Sequence, residues 1–560
     1  MVEHASDAPR LPWWQDLRWI TAGVVVVLLG LLVWGLFGPE PPLTVSRETT
    51  FLTAPLAADG LPDYGAAVLA SLGPAPEPED NAAVELLEVM WPLKIEAADL
   101  PAVCKALGIL DVPPADPLRV PTEDAAAKVT AAMFNAAQER PWNGAEFPEL
   151  AAWLVAHEAA LDRLVAAADR PRYWLPDPVL LRPGPQWLFN FSFGHELQHQ
   201  TAARLLVCRA MGHAGAGRHA AAWHDIRAVY RLGRLLAAPH KAPQNMCTHM
   251  LAIAIAGMAN KAVTVCLLGA ADLSADTLAT VRRDLDALGP LPGRDAAVAW
   301  ERLNGIDTLV RLARRTPGGR EKVLEIMGSL CDLDPLLAAA LHSSLDWDAG
   351  LRRLNAEYGR FEAAARLPTR AAQQAELDRL VETLRARISR SGWKNAGHAL
   401  QGCCSRSYRS ECVGDVLLGV FAPAFVPVFD RLTDSEASFD LVRTAAALAA
   451  WKADRGPGAP PYPERLDDLV PKYLAAVPLD PFSNKPFIYE RRGEGYLVAS
   501  VGSNGVYDGG DDLYGWIMGG EWQTSRTEME RKKSDFVVRM PVPPRPAPVA
   551  SPSPAPPAAP

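Results

Sequence analysis

The chain has 560 residues, is 49% hydrophobic and carries a formal net charge of −9. That length gives room for two folded units plus tails, with ample apolar material for a core. Its basic residues are spread along helical patterns rather than clustered, which argues against nucleic acid as a partner.

Eight cysteines are present, at Cys104, Cys208, Cys247, Cys266, Cys331, Cys403, Cys404 and Cys412, and none forms a CxxC. The one cluster is Cys403, Cys404 and Cys412. A bridge from Cys412 to either neighbour and a set of unbridged thiols are both open.

In chain order, the first element is Trp19–Phe37, an uncharged apolar run as long as a membrane-spanning helix. Trp13, Trp14, Trp19 and Trp34 flank it, where indoles favour the headgroup region. Arg10 and Arg18 precede it, and Arg47 is the first basic residue after it. This bias puts residues 1–18 in the cytoplasm, residues 19–37 across the inner membrane and the bulk outside. A cleaved signal peptide is the alternative, but no small-x-small site follows the run before Gly38-Pro39-Glu40.

Residues 38–60 read as an extended linker, and residues 61–435 as an α-helical ectodomain built from helical hairpins. Apolar residues recur at three- and four-residue spacing over Asn81–Met90, Glu123–Arg140, Phe147–Ala168, Glu196–Met211, Ala220–Leu236, Met246–Leu268, Leu273–Leu288, Ala296–Arg315, Arg320–Leu330 and Gln373–Ser389. The pair around Gly212–Gly217 resembles a tetratricopeptide-type hairpin, with Ala203, Ala210, Ala221 and Ala228 allowing close approach. Val416–Phe429 is apolar but interrupted by Pro423 and Pro427, so it reads as a buried core segment and not a second span.

The pattern changes near residue 436. A helix over Ser438–Arg455 leads to Tyr462-Pro463 and a short helix at Leu466–Tyr473. A turn follows at Asp480-Pro481-Phe482-Ser483-Asn484. Strands over Phe487–Arg491 and Tyr496–Val501 flank a hairpin connection at Arg492–Gly495. Beyond Met540 the chain is a proline-rich tail, residues 541–560.

Those C-terminal residues, with Leu469–Leu474, Asp480–Phe487 and Ser500–Gly505, resemble the globular domain of type II secretion major pseudopilins. The resemblance implies a small α+β domain over residues 436–540, and a calcium-binding loop after the last strand. The residues suit that ion: Asp508, Asp511 and Asp512 offer carboxylates, Asn504 and Ser503 neutral oxygens, and the intervening glycines let carbonyls converge. The N-terminal apolar helix lacks the prepilin cleavage site and the early Glu of that family, so this is not a plain pilin subunit.

One catalytic motif remains. His195-Glu196-Leu197-Gln198-His199 is a formal HExxH, in which His195 and His199 would hold zinc and Glu196 would activate its water. Ala202 and Leu205 stand where the extended form needs Gly and His, and no Glu occurs between Gln200 and Trp300. Paired surface or packing histidines are the plainer reading. The sequence therefore points to a mostly-α, membrane-anchored envelope protein that binds or scaffolds unidentified protein partners without catalysis. A zinc metallopeptidase and an accessory component of a secretion machine are the alternatives.

Overall fold

A computed structural model describes residues 13–91, 95–109, 117–124, 126–191, 194, 196–237, 243–270, 273–291, 294–314, 321, 325, 341–390, 396–421, 425–455, 458–510 and 535–542. The chain is mostly helical. The helices are α1 (Trp13–Phe37), α2 (Tyr64–Ser71), α3 (Ala82–Met90), α4 (Leu100–Leu107), α5 (Ala131–Ala136), α6 (Pro148–Ala156), α7 (Glu158–Asp169), α8 (Leu197–Gly215), α9 (His219–Leu236), α10 (Met246–Ala262), α11 (Ala275–Leu288), α12 (Arg294–Ala313), α13 (Trp347–Ala365), α14 (Arg370–Arg390), α15 (Ala396–Cys404), α16 (Arg406–Phe421) and α17 (Phe425–Ala453). Among the described residues three strands follow: β1 (Ile488–Arg492), β2 (Gly495–Ser500) and β3 (Phe536–Met540).

α8 and α9 form a hairpin packed through small side chains, with Ala203, Ala210, Ala222 and Ala228 buried. Gly215 is required there, because a Cβ would lie 2.0 Å from the carbonyl oxygen of Trp142. The Trp142 indole N–H donates to the Cys208 carbonyl at 3.3 Å, filling the same notch. α10 lies against both helices and continues as a π-helical turn over Val263–Leu268. The run Met246–Leu268 is apolar enough to span a membrane, yet it is two-thirds buried within the protein, as a core helix should be.

Charge locks the same bundle. Arg209 of α8 grips Asp225 of α9 through two bonds of 2.9 and 2.7 Å, and reaches Asp162 of α7 at 2.7 Å. Arg209 and Asp225 are both buried, so each needs the other.

Two helix expectations change. Among the described residues of Glu123–Arg140, only α5 is helical. Thr130 caps it, accepting from the Met133 N–H at 3.2 Å, and Lys128 just before has a positive φ of 52°. Phe147–Ala168 is two helices. The break is His157, whose ring stacks on Trp153 at 4.2 Å while Nδ1 lies 2.8 Å from the Trp153 carbonyl. Arg320–Leu330 falls largely outside the described residues, as does the tail beyond residue 542. Val416–Phe429 is shared between the end of α16 and the start of α17, with Leu417, Leu418, Val428 and Phe429 buried.

α17 is longer than its pattern suggests and runs through residues 435 and 436. It packs against α10 and α11 on one side and against β2 and β3 on the other. One hydrophobic core therefore extends from Tyr64 to Met540.

The sheet is antiparallel in the order β1-β2-β3. Gly493 takes φ 59° in the two-residue connection from Arg492 to Gly495, as a primed hairpin turn requires. β3 adds a strand to the two expected from sequence. It pairs Tyr496 with Met540, and a Cβ on Gly495 would meet the Met540 carbonyl oxygen at 1.9 Å.

α1 stands out from this body. Its apolar window over Arg18–Phe37 has a mean hydropathy of 2.6 and none of it is buried. Residues 38–60 have no helix or strand, but they are seated on the body. The Asn355 amide donates to the carbonyls of Arg47 and Glu48, and the Arg302 guanidinium lies 3.8 Å from the centre of the Phe51 ring.

Candidate functional sites

The HExxH segment sits at the start of α8. Glu196 immediately precedes the first helical residue, Leu197, so the motif straddles the helix entrance. His195 lies outside the described residues. His199 is buried, its Nδ1 is 3.2 Å from the Glu196 carbonyl, and its ring makes a T-shaped contact with Tyr173, the ring centres 4.5 Å apart. The Glu196 carboxylate accepts a hydrogen bond from the Thr248 hydroxyl, on the first turn of α10. Burial pushes the Glu196 carboxyl up to about 7, with the Thr248 bond opposing and Asp177 adding to the rise.

α12 brings a second acid to this region. Burial pushes Glu301 up to about 7, against a hydrogen bond from Asn304. Both acids act on Cys247, which has an exposed surface at the start of α10: partial desolvation raises its thiol first, then Glu301, then Glu196. Buried His249 is two residues further along α10. Tyr358 of α13 is raised by burial and by Glu301. The tertiary fold thus bonds Thr248 to Glu196, and sets Glu301 where its charge raises the Cys247 thiol and the Tyr358 hydroxyl. Among the described residues, no three His, Cys, Asp or Glu side chains converge as metal ligands.

The second site is the turn-and-loop system beside the sheet. Asp480 is its anchor and is almost fully buried. Its carboxylate accepts from the Phe482 N–H at 3.0 Å, the Ser500 hydroxyl at 2.8 Å, the Val501 N–H at 3.0 Å and the Ser483 hydroxyl at 3.3 Å. These bonds tie the Asp-Pro-Phe-Ser-Asn turn to the end of β2, where the Gly/Asp loop begins. Asn484 adopts φ 54°, the left-handed conformation that Asn tolerates in turns.

Within that loop the Asn504 amide N–H donates to Asp508 Oδ2 at 2.7 Å, and Asn504 Oδ1 accepts from the Val506 N–H at 3.0 Å. Asp535, which precedes β3, accepts from the N–H groups of Asp508 and Gly510 at 2.9 and 2.8 Å. Tyr507 closes the other side with a 2.9 Å bond to Glu490 of β1. The structure thus brings Asn504 and Asp508 together with Ser503 one residue away, while Asp511 and Asp512 lie outside the described residues.

Sequence reasoning missed Thr248, Glu301, Tyr358 and Asp535. Thr248 and Tyr358 sit in helical runs with no local code. Glu301 lies one residue past the Glu-free interval that ends at Trp300. Asp535 carried one signal, an acidic residue directly before the alternating Phe536–Met540.

No protein-family model matches this chain, and searches of curated proteins and of solved structures return no match.

Proposed function

We propose that this protein is a single-pass, membrane-anchored envelope protein whose helical body binds or scaffolds other proteins without catalysis. The observation that carries this reading is α1, an apolar rod with none of its central window buried, attached to a body with a continuous core. Exposed apolar surface on that scale needs a non-aqueous partner, and its length suits a bilayer. In this reading the inner membrane holds α1, the N-terminus is cytoplasmic, and the small α+β module is an integral cap to the body. Its likeness to pseudopilin domains suggests calcium in the loop of Ser503, Asn504, Asp508, Asp511 and Asp512, and a place beside a type II secretion machine. The experiment is fractionation of tagged full-length chain followed by crosslinking and affinity purification from membranes. Recovery in the soluble fraction, or specific hydrolysis of a peptide library by the purified chain, would reject the reading.

A second reading, a zinc peptidase, draws on two acids whose pKa values are raised to about 7, Glu196 at the entrance of α8 and Glu301 on α12. In that case His195 and His199 would hold the zinc, which would supply an activated water, and Glu196 would serve as the general base. Zinc content of purified protein, compared with His199→Ala, separates the two.

A further inference from the structure

The carbonyl oxygens at the C-terminal end of a helix lack partners within the helix and carry partial negative charge, so cations dock there favourably. At the end of α1 the Gly38 N–H bonds Trp34 locally at 2.8 Å, and the distant body supplies the other donors. Arg406 donates to the carbonyls of Trp34, of Gly35 at 3.1 Å and of Pro39 at 2.8 Å. Arg409 donates to Gly35 at 2.6 Å and, with the same nitrogen, to Ser344 at 2.7 Å. The Ser344 N–H donates to Leu36 at 2.6 Å and its hydroxyl donates to Gly38. The Trp347 indole then holds Glu40 at 2.9 Å. Gly38 is needed at this junction, since a Cβ would lie 2.5 Å from the Trp34 carbonyl and 2.6 Å from Arg406.

We infer that the start of α16 and residue 344 form a receptacle for the end of α1, so that α1 is a retained part of the folded protein and not a leader removed after export. Arg409 is only 5% exposed, and cleavage after the apolar run would take away Gly35, one of its carbonyl partners. Arg409 would keep the carbonyls of Ser344, Gly402 and Cys403, but Arg406 would lose those of Trp34 and Gly35, and the Ser344 N–H would lose Leu36, so the loss falls on the whole junction. The clasp also fixes the body relative to the axis of α1 instead of leaving it on a free tether. The membrane consequence rests on the anchored reading above; the clasp itself does not.

The test uses full-length chain with tags at both ends and Ser at positions 403, 404 and 412. Leu36→Cys plus Ser344→Cys is introduced, together with a protease site after Ala58. The Ser344–Leu36 backbone bond brings the two α-carbons into range of a disulfide. After mild oxidation and site-specific cleavage, the N-terminal fragment should stay joined to the body on a denaturing gel and separate on reduction. A Val24→Cys plus Ser344→Cys control, with its first thiol twelve residues or about 18 Å further along α1, should not link. A mature chain that has lost its N-terminal tag, or an unlinked fragment from a folded protein, overturns the inference. A linked chain that washes out of membranes at alkaline pH supports the clasp and rejects the anchored reading. An unlinked chain that stays in the membrane does the reverse.

Discussion

The Thr248 hydroxyl hydrogen-bonds the Glu196 carboxylate, joining the first turn of α10 to the entrance of α8. That bond opposes, without cancelling, the burial that lifts the Glu196 pKa to about 7. Glu301 is lifted to about 7 by the same cause. A buried acid whose folded pKa exceeds its unfolded value contributes fully below the unfolded pKa, near 4.5. That contribution is lost as pH rises toward 7. We therefore expect the wild-type chain to lose about 1–3 kcal/mol from each acid between about pH 4.5 and 7. Glu301→Gln should flatten this slope and raise stability at pH 8, as measured by urea unfolding across pH. An unchanged slope in Glu301→Gln would show that the acid is already ionised when folded.

The Arg209–Asp225 pair is buried, whereas the Asp162 side chain on the same guanidinium is 65% exposed. Asp225→Ala should cost about 3–5 kcal/mol by leaving Arg209 enclosed and under-partnered. Asp162→Ala should cost less than about 1 kcal/mol, because solvent already screens that contact. The denaturation midpoints of the two variants, measured side by side, give the contrast.

In the sheet module, Gly510 has φ 78° and a Cβ there would approach Leu497 to 2.7 Å. Gly505 has φ 70° with open space around it. Gly510→Ala should lower module stability by about 2–3 kcal/mol, through backbone strain and overpacking together. Gly505→Ala should cost about 1 kcal/mol, from the backbone alone. Protease susceptibility of the C-terminal region, read by mass, reports both. Equal cleavage rates would mean that the Leu497 contact does not govern the loop.

The calcium proposal makes its own forecast. Calcium should raise the melting temperature of the purified chain, and Asp508→Ala should remove most of that rise. Asp535→Asn should weaken the calcium response too, because the Asp535 carboxylate holds the N–H groups of Asp508 and Gly510. No calcium response in the wild-type chain would leave the loop a purely hydrogen-bonded structure.

Local periodicity and turn chemistry made several elements legible before any coordinates. The apolar run of α1, the α8–α9 hairpin, the core helix Met246–Leu268 and the β1–β2 hairpin all carry their code within a dozen or two residues. A helix face or a glycine in a two-residue turn is specified by neighbours in sequence, so sequence can declare it. The break at His157 and the extension of α17 back to Phe425 were not legible, because packing against other elements overrides propensity. Nor was β3 readable as a partner for β2, since strand pairing is a long-range choice.

Single residues divide in the same way. Sequence alone determined that Glu196 stands in an HExxH and that Asp508 lies in a Gly/Asp loop. Only the tertiary structure decided what those carboxylates meet: Thr248 for Glu196, and Asn504 for Asp508. It also decided that Arg406 and Arg409, unremarkable in sequence, close the end of α1 across the length of the chain. Pattern in a sequence reports which face of an element is apolar. The partner of a buried charge is set by which elements the core brings together, and the core is a property of the whole chain.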